Sequence, residues 1–277
     1  MIRLGKIGYL NVLPIYHPLE NGLVENDFDI VSGPPSHLNR LMDEGSLQVS
    51  ASSSIEYARH PEKYYLVPDI AIGSRGPVQS VLLLSRIPAR RLDGRTVLVS
   101  SQTHTSAALL KVLMQQHWGV YSNFITGDAT AVLDRGERPD AILCIGDEAL
   151  ELRRHKDYPV RVDLGEEWRN QTGLPFIFGV WIVQRDAWAR NREGVENACR
   201  TLLTAKQWGV DNIKAMCTLA AESSHMNSEE MCSYFDGLVY DLGPAEQIGM
   251  KYFYTQLAKT GLIKKVPELE FLPDFTL

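Results

Sequence analysis

The sequence predicts an α/β protein of two lobes with a ligand cleft between them, and three observations predict it. Short apolar runs alternate with amphipathic stretches through the first half, the pattern of a mostly parallel sheet covered by helices. Two longer apolar runs could carry the chain from one lobe to the other and back: Val81 to Leu84, led in by Gly76-Pro77-Val78-Gln79-Ser80, and Pro175 to Val183. From about Asp186 onward the pattern is almost wholly helical. The expected division is a discontinuous lobe of residues 1–84 plus 182–277 and an inserted lobe of residues 85–181.

The first strand pattern runs into Gly8-Tyr9-Leu10-Asn11-Val12-Leu13-Pro14. This places the amide of Asn11, a donor and an acceptor, at a strand's C-terminal edge, where open α/β sheets bind ligands. An Asn before a Pro also reads as a simple turn former. Gly5, Lys6, Gly8 and Asn11 break every apolar run near the N-terminus, so no secretion signal is read there and a cytoplasmic location is expected. Ser36 is placed to cap a helix carrying Leu38, Leu41 and Met42, with Gly45 past its end, and Leu47 to Ala51 follows as a buried strand. The run Ser50-Ala51-Ser52-Ser53-Ser54 is then either a set of hydroxyl donors at a crevice or a turn capped by Ser53 or Ser54.

In the inserted lobe, Val97 to Ser100 reads as a strand and Ser101-Gln102-Thr103-His104-Thr105-Ser106 as a polar turn. A helix follows from Ala107, with Leu109, Leu110, Leu113 and Met114 inward and Gly119 at its end. Backbone N–H groups at such a helix start, with nearby hydroxyls, hold a carboxylate or phosphate without any Lys or Arg. Thr103 or Thr105 could instead only cap the helix. Asp140 to Ile145 is a strand that delivers Gly146-Asp147 to another helix, where Asp147 reads as an N-cap or as a ligand or proton-transfer group. A closing helix starts at Pro244, carries Ile248, Tyr252 and Leu257 as a stripe, and ends at Gly261.

Composition narrows the classes. The 277 residues are 44% hydrophobic and 22% charged, with no run near the roughly 18 apolar residues of a membrane span. A net charge of −6 gives no global attraction to nucleic acid or anionic membranes, so an anionic ligand needs local donors. Cys144, Cys199, Cys217 and Cys232 show no CxxC spacing and are expected to be reduced and structural. The seven histidines form no HExxH or similar ligand pair, and the dinucleotide, P-loop and GxSxG fingerprints are missing, so neither metal nor nucleotide cofactor is expected.

Taken together, Gly8 to Pro14, Gly76 to Val81, Thr105-Ser106, Ile145-Gly146-Asp147-Glu148-Ala149-Leu150 and Thr172-Gly173-Leu174-Pro175-Phe176 resemble the chorismate dehydratase family of the futalosine route to menaquinone. The resemblance covers nearly the whole chain. It implies a type II periplasmic-binding-protein-like fold and loss of water from chorismate, a small dicarboxylate, to give 3-[(1-carboxyvinyl)oxy]benzoate. By that resemblance Asn11 and Ser80 match the family's active-site Asn and Ser. The expected substrate contacts, in both lobes, include Tyr9, Leu10, Ser36, Ser52, Ser53 and, near the end of the inserted lobe, Phe178. Also expected from the inserted lobe are Thr105, Ser106, Gly146 and Asp147. The base is left open between the substrate's own side-chain carboxylate, Ser80 and Asp147. The related 1,4-dihydroxy-6-naphthoate synthases carry a His where this chain reads Ile145-Gly146-Asp147-Glu148, which favours the dehydratase. A non-catalytic solute-binding protein is the third reading, because this fold carries no chemistry of its own.

Overall fold

In the computed structural model, which describes residues 1–275, the chain builds two sheets facing one another across a cleft. It begins with β1 (Arg3–Ile7), α1 (Leu13–Glu20), β2 (Asp29–Gly33), α2 (Pro35–Asp43), β3 (Val49–Ser53), α3 (Ser54–Arg59) and the long β4 (Tyr64–Ser74). The second lobe holds β5 (Val81–Ser85), β6 (Thr96–Val99), α4 (His104–Val112), β7 (Asn123–Thr126), α5 (Ala129–Asp134), β8 (Ala141–Ile145), α6 (Gly146–Leu152), β9 (Val160–Asp163) and α7 (Leu164–Thr172). β10 (Phe176–Gln184) returns the chain to the first lobe. There α8 (Arg185–Arg190), α9 (Arg192–Asp211), α10 (Ile213–Glu222), α11 (Ser228–Asp236), β11 (Leu238–Val239) and α12 (Pro244–Lys259) complete it.

The first sheet runs β11-β4-β10-β3-β1-β2 and the second β7-β6-β8-β5-β9. The expectation of mostly parallel sheets is corrected. β1 pairs parallel with β2 and β3, and β6 with β7 and β8. β10 runs against β3 and β4, β5 runs against β8 and β9, and β11 against β4. The cause is topological: a strand entering a lobe from the cleft must run opposite to strands that end at the cleft. The same rule brings the C-terminal ends of β1, β3, β6 and β8 together there.

Sheet membership also moves the crossings upstream of the expected 84/85 and 181/182. Val81–Ser85 already pairs with the second sheet and Phe176–Gln184 lies in the first, so the chain crosses within residues 75–80 and 173–175. The apolar runs therefore lie inside the sheets, and their flanks make the passage.

Period-2 alternation explains the core of the second lobe. Leu82 and Leu84 of β5 pack with Leu98, Ile142 and Cys144 on one face. Val81 and Leu83 join Val97, Val99 and Leu143 in the main core on the other. The helix expected from Ala107 starts earlier, at His104, so that the polar turn ends at Thr103. It buries Leu109, Leu110, Leu113 and Met114, passes into a π-helical turn over Leu113–Trp118 and stops at Gly119 in the left-handed conformation, φ 68°. The closing helix spans Pro244–Lys259, but its expected stripe is corrected. Ile248 and Tyr252 are 59% and 38% exposed, while Met250, Phe253, Tyr254 and Leu257 are buried. Placing Ile248 on the core stripe put it on the wrong face: the core side is set by Gly249, which rides close over the Pro175 carbonyl.

Two further expectations change. Pro34, not Ser36, is the N-cap of α2, because Pro35 already supplies a preset first helical residue. Cys217 and Cys232 form a disulfide between α10 and α11, with Cα atoms 5.1 Å apart, whereas Cys144 and Cys199 are free and buried. The residues lie on neighbouring helices 15 positions apart in sequence, a proximity no CxxC rule detects. No helix among the described residues is long and apolar enough to cross a membrane.

Candidate functional site

The ends of β1, β3, β6 and β8 open onto a cavity of about 750 Å³, mouth included, between the two sheets. The first lobe contributes Ile7, Tyr9, Asn11, Ser52, Ser53, Ile72, Phe178 and Trp181 among others, and the second Val78, Ser80, Gln102, Thr103, His104, Thr105, Ser106 and Gly146. Among the described residues that line it there is no Lys, Arg, Asp or Glu. Its polar groups are hydroxyls, amides, one imidazole and the N–H groups at the start of α4. An apolar floor supports them, in which Trp181 Nε1 donates to Tyr16 Oη at 3.1 Å and Tyr16 Oη donates to the Gly5 carbonyl at 2.6 Å.

Several polar atoms here are buried without a protein partner: Ser53 Oγ, Gln102 Oε1, Thr103 Oγ1 and His104 Nδ1. Thr103 is only 3% exposed. Leaving such groups unpaired costs about 1–3 kcal/mol each, and a polar ligand recovers that energy. The helix α4 starts directly after Thr103, and Thr103 Oγ1 does not cap it. Thr105 does not cap it either, since its Oγ1 accepts from Ile55 N of the other lobe at 3.2 Å.

Asn11 lies in the single 3₁₀ turn between β1 and α1, half-buried, and Tyr240 Oη donates to its backbone carbonyl at 3.0 Å. Ser80 is 2% exposed and accepts from Tyr234 Oη at 3.1 Å. The turn before Ser80 is strained, with Gln79 at φ 60°. It is over-determined by Asp163, whose carboxylate accepts from Val78 N at 3.0 Å and Gln79 N at 2.6 Å while also capping α7 through Gly165 N and Glu166 N.

Of the expected contacts, Tyr9, Asn11, Ser52, Ser53, Ser80, Thr105, Ser106, Gly146 and Phe178 come together around the cavity. Leu10 and Asp147 sit behind that lining and bind each other across the lobes, Leu10 N donating to Asp147 Oδ1 at 3.3 Å. Asp147 is not a cap, since the N-cap of α6 is Ile145. Ser36 is exposed on the first turn of α2, although its neighbour Pro35 reaches the cavity. Gly146 adopts φ 57° and carries the Tyr9 ring so closely that a Cβ would stand 2.7 Å from Tyr9 Cδ1. Burial, with the nearby Asp147 and Glu148 charges, pushes the Tyr9 phenol up and keeps it neutral. Burial likewise raises Asp147. Tyr234, Tyr240 and Asp163 support the site without announcing it in the sequence: a buried tyrosine near the C-terminus carries no signal that separates support of a site from packing, and an Asp before a helix reads as an ordinary N-cap.

A family model described as menaquinone biosynthesis matches residues 2–259. The chain is 26% identical to a chorismate dehydratase of Thermus thermophilus over 90% of this chain and 93% of that protein. It is 32% identical to one of Campylobacter jejuni over 63% and 64%, and 29% identical to a 1,4-dihydroxy-6-naphthoate synthase of Thermus thermophilus over 67% and 66%. In fold it is similar to a protein of Archaeoglobus fulgidus at TM-score 0.74 and 20% identity, covering 95% of this chain and 98% of that one. It is also similar to the periplasmic aliphatic sulphonate-binding protein of Escherichia coli at TM-score 0.67 and 15% identity, covering 97% and 95%. The fold is thus the two-lobed periplasmic-binding-protein-like one, and the chain belongs to the menaquinone biosynthesis family.

Proposed function

We propose that this chain is a chorismate dehydratase, eliminating water from chorismate to give 3-[(1-carboxyvinyl)oxy]benzoate. The observation that carries the reading is a cleft lined, among the described residues, by no Lys, Arg, Asp or Glu, where Asn11 and Ser80 meet unpartnered polar atoms at the start of α4. Two curated relatives are named for this activity. Such a site suits a dicarboxylate held by hydroxyls and backbone N–H groups.

The chemistry asks little more. The hydrogen on the ring carbon bearing the enolpyruvyl ether is acidified through conjugation to the ring carboxylate. Its removal builds negative charge that neutral donors aimed at that position stabilise. The neighbouring hydroxyl then leaves and takes up a proton to become water, and aromatisation drives the step. Asn11, which is not basic, orients and donates, and Ser80 donates from the opposite lobe. In this reading the base is the substrate's own side-chain carboxylate, since Asp147 lies behind the lining, where its Oδ1 accepts from Leu10 N of the other lobe. His104 is the imidazole that competes for that role, and retained turnover in His104→Asn assigns the proton to the substrate.

The direct test is incubation of purified protein with chorismate and a chelator, without added cofactor, while the aromatic product is followed. Steady production is expected. An inert protein, or activity that needs a divalent metal, overturns the reading. The proposal includes action in the cytoplasm, where the Cys217–Cys232 pair would face thiol reductants. Counting free thiols in protein freshly isolated under alkylation tests that part.

A further inference from the structure

The Ser80 hydroxyl has one hydrogen to give and two lone pairs to offer. Tyr234 Oη donates to one lone pair at 3.1 Å, and this is the hydrogen bond its phenol makes among the described residues. The protein acceptor for the Ser80 hydrogen is the Val78 carbonyl at 3.4 Å, beyond the 2.5–3.0 Å typical of O–H···O bonds. Ser80 is nonetheless 2% exposed and lines the cavity. Its proton is therefore satisfied poorly by the protein and well only by a group in the cleft.

The placement of Tyr234 is built. Its helix α11 starts with a capping box formed by Asn227 and Glu230, and Arg153 of the second lobe pairs with Glu230 at 2.8 Å. One residue before the tyrosine, the Ser233 carbonyl accepts from Gln79 Nε2 at 2.9 Å. Adjacent residues of α11 thus grip adjacent residues of the turn, Ser233 to Gln79 and Tyr234 to Ser80. The ring is completely buried, and burial holds the phenol in its neutral, donating form.

Resting on the dehydratase reading, we propose that Tyr234 is a positioning residue that makes the Ser80 hydroxyl an obligate donor toward the anionic part of the substrate. Without the phenol, a serine hydroxyl rotates and can present a lone pair to a carboxylate, which repels it. With the phenol in place, that orientation is occupied, and accepting from Tyr234 also strengthens Ser80 as a donor through polarisation of the chain of bonds.

The test is a double-mutant cycle of wild type, Tyr234→Phe, Ser80→Ala and the double variant. Each is read as kcat and KM with chorismate and as calorimetric affinity for the aromatic dicarboxylate product, with thermal melting to confirm folding. Tyr234→Phe is expected to lower kcat about 10-fold with KM held within about 2-fold, and to have no further effect where Ser80 is already Ala. An equal loss in both backgrounds would show that the ring only packs, and an unchanged kcat in the single variant would equally overturn the proposal. Should wild type bind product yet fail to turn over chorismate, the dehydratase reading falls, and the cycle in affinity decides the positioning role: coupling above about threefold supports it and additivity overturns it. Failure of wild type to bind the product overturns both.

Discussion

Tyr240 donates its hydroxyl to the backbone carbonyl of Asn11 at 3.0 Å, across 229 positions of sequence. Six residues earlier, Tyr234 does the same for the Ser80 hydroxyl. The short stretch from α11 to Tyr240, just past β11, therefore steadies both halves of the proposed catalytic pair, one in each lobe. This gives the helical C-terminal segment a part in the site although only its neighbours line the cavity.

The two members of the pair should respond differently to removal. The Asn11 amide makes no side-chain hydrogen bond among the described residues, so Asn11→Ala should lower turnover of chorismate about 10²-fold or more while stability shifts by no more than about 1 kcal/mol. Ser80→Ala should lose turnover comparably but also cost about 1–3 kcal/mol, because the buried Tyr234 phenol loses its acceptor. Steady-state rates and denaturant midpoints check both, and near-normal turnover in either variant removes that residue from the pair.

Much of this site was legible in the sequence because strand ends announce themselves. Asn11, Thr105-Ser106 and Gly146 follow apolar runs, and parallel topology puts such positions at one edge, whereas Ser80 precedes the run of the antiparallel β5 and was legible only through the family resemblance. The antiparallel crossing strands were not legible, since an apolar run of nine residues looks the same in either direction. Nor was the disulfide, whose partners are brought together by the packing of α10 on α11. The face of the closing helix was misread because its core side is marked by a small residue, Gly249, and by the polar but buried Glu246 and Gln256.

Gly146→Ala tests how tightly the lobes meet. The residue sits at φ 57°, and a Cβ would lie 2.7 Å from the Tyr9 ring, so backbone strain of about 1–3 kcal/mol combines with displacement of a lining residue. Both stability and affinity for chorismate should fall, affinity by about 10-fold. A variant with wild-type affinity would show that the Tyr9 ring is free to move aside.

The Cys217–Cys232 bridge closes a 15-residue separation, for which chain-entropy arguments give about 3 kcal/mol. Reduction with a dithiol should lower the unfolding free energy of the wild-type protein by that amount, seen as a fall in its denaturation midpoint. The double variant Cys217→Ala/Cys232→Ala should start at the lower value and ignore the reductant. An unresponsive wild-type midpoint would mean that the hairpin is held by packing alone.

Glu148 provides a pH signature separable from the cleft. Burial, with Asp128 and Glu151 nearby, pushes its carboxyl up to about 7 from an ordinary 4.5. The folded protein therefore binds more protons than the unfolded chain between these values, and stability falls as pH rises from about 4.5 to 7 and is constant above. The full shift would correspond to roughly 3 kcal/mol, but partial solvent contact screens it, and about 1 kcal/mol is expected. Glu148→Gln keeps an oxygen for the Thr130 N–H while removing the charge, so it should stabilise the protein by that amount at pH 8 and leave it unchanged at pH 4.5. Urea titrations of both proteins at the two pH values decide the matter: an equal difference at both would mean that Glu148 ionises normally and that its neighbours impose no penalty.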